Sequence, residues 1–275
     1  MVFSMAVTAL GLLSPPEVLL VVGPSSHPPG THEVAKTATI LQEALNRPLA
    51  GTGLASRIVT DFPKIETEFD GVRTVVFLGD LFPLTRLPSQ VENMEMMQRL
   101  VDRGVGVVCI HYATGVEGIH TRNGDHPLLR WVGGYFANPG SAHHESVARI
   151  FPAAKIEPSE PDHPVSRGWS TFVINDEPYI RNWFGPEGRR EEVKVFAASM
   201  LPPEAPNLEP VAWGIQRQDG GRGFAVVMPH FVQNWQNDDL RTLILNGIVW
   251  TARREIPADG FRTAKPRSEL TPAVG

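Results

Sequence analysis

A doubly wound α/β fold with a mostly parallel central sheet is what this 275-residue sequence predicts. Short β-branched apolar runs, of the kind that fill a strand buried on both faces, recur through the first half of the chain. Helical stretches with one apolar face separate them, as parallel pairing requires. The clearest run lies in GVGVVCIHYATG, where Val105 to Ile110 is bounded by Gly104 and Gly115 and ends on His111. In open α/β sheets ligands bind outside the carboxyl ends of the strands. A histidine there is either placed for chemistry or orders a neighbouring loop.

The first strand is read over Glu17 to Gly23, EVLLVVG, followed by the loop PSSHPPGTHE. A helix follows from Val34 to Leu45, with Val34, Ala38, Leu41 and Leu45 at helical spacing and Thr31 as its expected N-cap. His27 then lies in the loop leaving the strand, and His32 and Glu33 in the first helical turn, all at the carboxyl edge of the sheet. This is no phosphate loop: GxGxxG and GK[ST] are absent, and two consecutive prolines remove backbone donors. No nucleotide cofactor is expected.

Ser56 to Thr60 and Arg73 to Leu78 read as the next strands, the second punctuated by Asp70-Gly71 and Gly79-Asp80. Val91 to Arg103 reads as a helix with Met94, Met97, Leu100 and Val101 on one face, the methionines serving as core filler. It leads into the strand ending at His111. Strand, helix, strand, strand, helix, strand is a flavodoxin-like pattern.

Beyond it the pattern loosens. His120 to Pro164 is rich in Gly, Pro and His and reads as loop. Short strands are expected over Thr171 to Ile174, Val193 to Ala197, Val211 to Ile215 and Gly223 to Met228. Asp219-Gly220-Gly221 joins the last two as a hairpin. A helix over Asp238 to Ala252, capped by Asn237 or Asp238, closes the fold. One domain is therefore expected over residues 17–254, with a polar, proline-bearing tail over 255–275 as an extended surface arm.

Composition excludes several classes. A net charge of −5 and the lack of any basic cluster interleaved with aromatics give no support to nucleic-acid binding. The single cysteine, Cys109, excludes an intrachain disulfide framework and any CxxC site. The apolar segment over residues 1–16 is too short to span a membrane. It also lacks the basic start and the cleavage site of a secretory signal. Cytoplasmic residence is favoured unless that segment is a leader, and a homo-oligomer is compatible with everything above.

His27, His111, His144 and His230 each close an apolar strand or flank a Gly-Pro turn, and Glu177 follows an apolar strand in VINDEPY. Gathered at one sheet edge, such groups suit two chemistries. Neutral imidazoles with a carboxylate bind a divalent metal, zinc foremost. Without metal, histidine and a part-buried glutamate form an acid/base pair. The bland alternative for each lone histidine is ordering of a loop, and Asp176 reads as an Asx-turn residue beside Glu177. Asn234 and Trp235, after His230, suit a sugar ring that stacks on indole and takes amide hydrogen bonds. Trp235 as a lid over the core is the alternative. Cys109 lies inside its strand while His111 holds the turn, so the thiol should be buried and inert. A Cys-dependent glutaminase is not expected.

HPPGTHE (27–33), GVVCIH (106–111), WVGGYF (131–136), DHPVSRG (162–168), INDEPY (174–179), VAWG (211–214), GRGFAVVMPHFVQNW and NGIVW (246–250) together resemble the trehalose-utilisation (ThuA-like) family. The resemblance runs from about Glu17 to Arg254. It implies a class I glutamine amidotransferase-like α/β sandwich of three layers, with loop and hairpin elaborations in the second half, and a role in carbohydrate metabolism. Carried over by motif, it points to His27, His32, His111, Glu177 and His230 as pocket residues. His144 or His143 fills a further position, where ANPGSAHHES departs from the family pattern; Pro178 also stands where an aromatic is common.

The expectation is an enzyme acting on a sugar, glycoside or keto-sugar. His111, Glu177 and His230 would do acid/base chemistry, with or without a metal, and His27, His32, His144, Asn234 and Trp235 would bind substrate. The alternatives are a non-catalytic carbohydrate-binding or regulatory protein, and a metal-dependent hydrolase of some unrelated small molecule.

Overall fold

The computed structural model describes residues 15–271. The apolar segment expected over residues 1–16 therefore lies almost wholly outside the described residues, as do the last four residues of the tail.

The first half follows the expected order. It runs β1 (Val18–Val22), α1 (Val34–Asn46), β2 (Ser56–Val59), β3 (Thr74–Leu78), α2 (Gln90–Asp102) and β4 (Gly106–Ile110). Strands β1, β3 and β4 are buried at every position, as continuous apolar runs covered on both faces must be. The second half contains β5 (Gly115–Val116), α3 (Pro127–Trp131), β6 (Phe136–Ala137), β7 (Phe151–Pro158), β8 (Phe172–Asp176), β9 (Val193–Leu201), β10 (Asn207–Gln216), β11 (Arg222–Val226) and α4 (Asp238–Thr251).

A nine-stranded sheet is ordered β2-β1-β3-β4-β11-β10-β9-β7-β8. Its first five strands are mutually parallel in flavodoxin-like order, and β10, β9, β7 and β8 extend it in antiparallel pairs. The hairpin expected at Asp219-Gly220-Gly221 joins β10 to β11. Helix α1 packs on β1, β2 and β3, and α4 on β3, β4 and β11. Gly223 is required where β11 passes α3: a Cβ there would lie 1.9 Å from the Trp131 carbonyl oxygen.

Several local expectations are corrected. Thr31 does not cap α1; its hydroxyl donates to the Pro28 carbonyl, and Glu33 occupies the N-cap without a side-chain bond. The inward face of α2 is Asn93, Met96, Met97, Leu100 and Val101, with Met94 only half-buried. Strand β7 and helix α3 form inside the stretch read as loop. The tail after residue 254 is anchored rather than laid on the surface. Ile256 and Phe261 are each 2% exposed, and the Phe261 amide donates to Asn246 of α4. Asn237 caps α4 as expected, accepting from the Leu240 amide. No helix among the described residues is long and apolar enough to cross a membrane.

Candidate metal centre

Five strands deliver polar side chains to one end of the sheet. His27 and His32 follow β1, Asp80 follows β3, His111 follows β4, Glu177 follows β8 and His230 follows β11. This is the crevice beyond the carboxyl ends of the parallel strands.

One ligand atom each from His32, His111, Glu177 and His230 lies within 4.8 Å of all the others. His111 Nε2 is 2.8 Å from His32 Nε2 and 3.3 Å from His230 Nδ1. A Glu177 oxygen is 3.1 Å from His230 Nδ1 and 3.9 Å from His111 Nε2. Around a tetrahedral zinc, bonds of about 2.0–2.1 Å separate ligand atoms by about 3.3 Å. The observed spacings bracket that value.

The second nitrogen of each key ring fixes its tautomer. His32 Nδ1 donates to Asp80 Oδ1 at 2.7 Å, and His111 Nδ1 to the Val227 carbonyl at 3.1 Å. Carboxylate and carbonyl oxygens only accept, so both facing Nε2 atoms carry lone pairs. Burial, chiefly, pushes the His32 pKa below its ordinary value and that of His111 well below it; neighbouring histidines add to both shifts. Two neutral imidazoles therefore aim lone pairs at each other across 2.8 Å, a repulsion that a cation between them removes.

Backbone geometry supports the same point. His32 and His111 both have left-handed φ angles, +44° and +50°. Such a conformation costs a non-glycine residue roughly 1–3 kcal/mol and survives where surrounding bonds over-determine it. Here the His32 amide donates to the His230 carbonyl, and the Thr114 hydroxyl donates to the His111 carbonyl.

Asp80 binds two histidines at once. Its Oδ2 accepts from His27 Nδ1 at 2.8 Å and from the Ser26 amide at 2.7 Å. Burial pushes its carboxyl up, but the bonds from His32, Ser26 and His27 outweigh that and hold it well below the ordinary carboxylate range. Asp176, fully buried, ties together the loops carrying Glu177 and His230. Its Oδ1 accepts both their amides at 2.7 Å, and Asn234 donates to its Oδ2 at 2.9 Å. Burial raises the Asp176 pKa to about 6 against these bonds. The Tyr179 ring stacks on His111 with its hydroxyl 3.2 Å from His111 Nε2. Burial, and then Glu177, push its pKa well above the ordinary value.

His32, His111, Glu177 and His230 thus converge. His27 stacks on His32 at 3.7 Å and forms the outer rim. Asn234 acts through Asp176 rather than from the crevice. Trp235 is 1% exposed and presents no open face, which matches the core-lid alternative. His144 bonds the Arg181 carbonyl and packs on Trp183, and His143 bonds Tyr135; neither is among the converging ligands. Asp80 and Tyr179 are the residues that sequence reasoning missed. Asp80 follows an apolar strand as His111 does, a signal hidden by its reading as turn punctuation. A small cleft adjoins the cluster, lined in part by Val34, Thr37, Tyr112 and Val232.

No curated protein matches this sequence. Among solved structures, a ThuA-like protein from Bacteroides uniformis superposes with a TM-score of 0.62 at 17% identity, over 90% of this chain and 96% of the other. One from Parabacteroides merdae gives 0.61 at 18%, over 94% and 100%. The carbohydrate deacetylase Agd3 gives 0.50 at 11%, over 86% of this chain and 32% of that protein. The trehalose-utilisation family matches residues 25–251. That match covers most of the chain, including every converging residue, and the chain belongs to the trehalose-utilisation (ThuA) family.

Proposed function

We propose that this protein is a carbohydrate-processing enzyme built on a divalent-metal centre held by His32, His111 and His230. Glu177 stands on the fourth side. The observation that carries this reading is the 2.8 Å approach of the His32 and His111 Nε2 atoms while each ring turns its Nδ1 to an oxygen acceptor. Nitrogen and carboxylate donors suit zinc first, with manganese, iron and cobalt close behind. Support for a sugar substrate comes from the family, whose description is trehalose utilisation.

A cation here would polarise a carbonyl or hydroxyl oxygen of the substrate. The chain's own residues then divide the work. His111, fully buried and held neutral, lends a lone pair and is a poor proton carrier, so the acid/base role expected for it passes to Glu177. The Glu177 carboxylate either completes the ligand set or takes the proton from an oxygen bound beside it. Asp80 and the Val227 carbonyl hold two rings in the ligating tautomer.

Elemental analysis of protein purified without chelator tests this. About one divalent ion per chain is expected, lost in His32→Ala, His111→Ala and His230→Ala. Glu177→Gln keeping the ion while losing turnover on a sugar panel would assign it proton transfer. No ion after incubation with zinc, manganese or cobalt would sink the metal centre.

A further inference from the structure

We propose that the Tyr179 hydroxyl donates a hydrogen bond to the ligand oxygen placed at this centre, so that the site is built for a substrate presenting an anionic or strongly polarised oxygen. This rests on the metal reading above. The phenol is 1% exposed. Its ring is fixed on both sides, stacked on His111 with centroids 4.5 Å apart and tilted against Phe136 at 4.2 Å. The hydroxyl therefore cannot swing to solvent.

Its one hydrogen-bond partner among the described residues is His111 Nε2, at 3.2 Å. That nitrogen is also the one facing His32 and His230. Once its lone pair is given to a cation, the Tyr179 O–H loses its acceptor. A buried donor left unpaired is costly, so the O–H must find another acceptor within the same cluster. The nearer Glu177 oxygen is turned to His230 Nδ1 at 3.1 Å, which leaves an oxygen bound at the centre as the acceptor for this phenol. A preorganised donor in a water-poor pocket favours an oxygen that bears charge over a neutral one. The matching ligand class is a deprotonated sugar hydroxyl or the enolate form of a keto-sugar. Tyr112, the neighbouring phenol, is not equivalent, because its hydroxyl already donates to Asn138 at 2.9 Å.

The test uses full-length protein loaded with cobalt, whose visible absorption reports the centre, titrated with acetohydroxamate as an oxygen-anion probe. Tyr179→Phe keeps the stacked ring and should take up cobalt as the wild type does. It should bind acetohydroxamate about tenfold or more weakly, the loss expected for one charge-assisted bond. Tyr135→Phe, at a phenol bonded to the Gly124 carbonyl away from the centre, should leave the probe affinity unchanged. In the wild type, adding probe should also produce a tyrosine ultraviolet difference band, a readout that serves if Tyr179→Phe does not fold. A cobalt-loaded Tyr179→Phe with unchanged probe affinity, or a wild type without the difference band, overturns the proposal alone. A wild type that takes up no cobalt overturns the metal reading and this proposal with it.

Discussion

Asp80 Oδ1 accepts the Nδ1 hydrogen of His32 at 2.7 Å, and that bond decides which nitrogen of His32 faces the centre. The other carboxylate oxygen does the same for His27 and also takes the Ser26 amide. A carboxylate can satisfy three donors because both of its oxygens only accept. One residue at the end of β3 thereby orders the whole loop that follows β1.

Replacing Asp80 by Asn leaves the side chain's shape and removes one acceptor. Its amide nitrogen must then face a donor, and either His32 or His27 loses its bond. Metal affinity should fall about 10–100-fold, the usual cost of losing an outer partner of a ligating histidine. Competition with a chromophoric chelator measures it. Unchanged affinity in a folded Asp80→Asn would show that His32 needs no orienting partner.

His126 makes a separate prediction about stability, away from the centre. It is 3% exposed and caps α3, its Nδ1 accepting the Leu128 amide. Burial, with His120 and Arg130 adding, lowers its pKa from 6.5 to about 3. The unfolded chain therefore binds this proton more tightly than the folded protein. The resulting stability is fully present above pH 6.5 and is lost as pH falls toward 3. At pH 4.5 the wild type should have lost about 2–3 kcal/mol through this group, at about 1.4 kcal/mol per unit. His126→Asn offers a cap acceptor that does not titrate. Denaturant midpoints at pH 7 and pH 4.5 should show a smaller acid loss in the variant by about that amount. Equal losses would place the proton linkage elsewhere.

The parallel half of the fold was legible because each central strand is a short, largely β-branched apolar run that ends at a glycine or a polar residue. Val18–Val22, Thr74–Leu78 and Gly106–Ile110 carry that signature without interruption. Strand β7 was not legible. Its sequence FPAAKIEP carries a proline near each end, and its pairing with β8 slips between Phe151 and Ala154, so its exposed and buried positions do not alternate. At the site, His32, His111, Glu177 and His230 could be named because each leaves an apolar strand or opens a helix. Their convergence depends on sheet order, which places β11 beside β4 although 111 residues separate Ile110 from Arg222. Trp235 misled for a related reason. An indole beside amides reads alike whether it faces a sugar or the core, and only burial tells the two apart.

Cys109 allows a check on where the chemistry lies. The thiol is fully buried in β4, between Val108 and Ile110, and burial pushes its pKa far above the ordinary range. The thiolate is the nucleophile, so this sulfur should be inert in the folded protein. Native protein at pH 8 should show no reaction with a disulfide reagent over the time in which urea-unfolded protein reacts with one thiol per chain. Cys109→Ala should keep full metal content and lose about 1–2 kcal/mol of stability, as a small cavity in a packed core does. Fast labelling of native protein, or metal loss in a folded Cys109→Ala, would place the sulfur in the chemistry. His111, two residues further on, would then be its partner rather than a ligand.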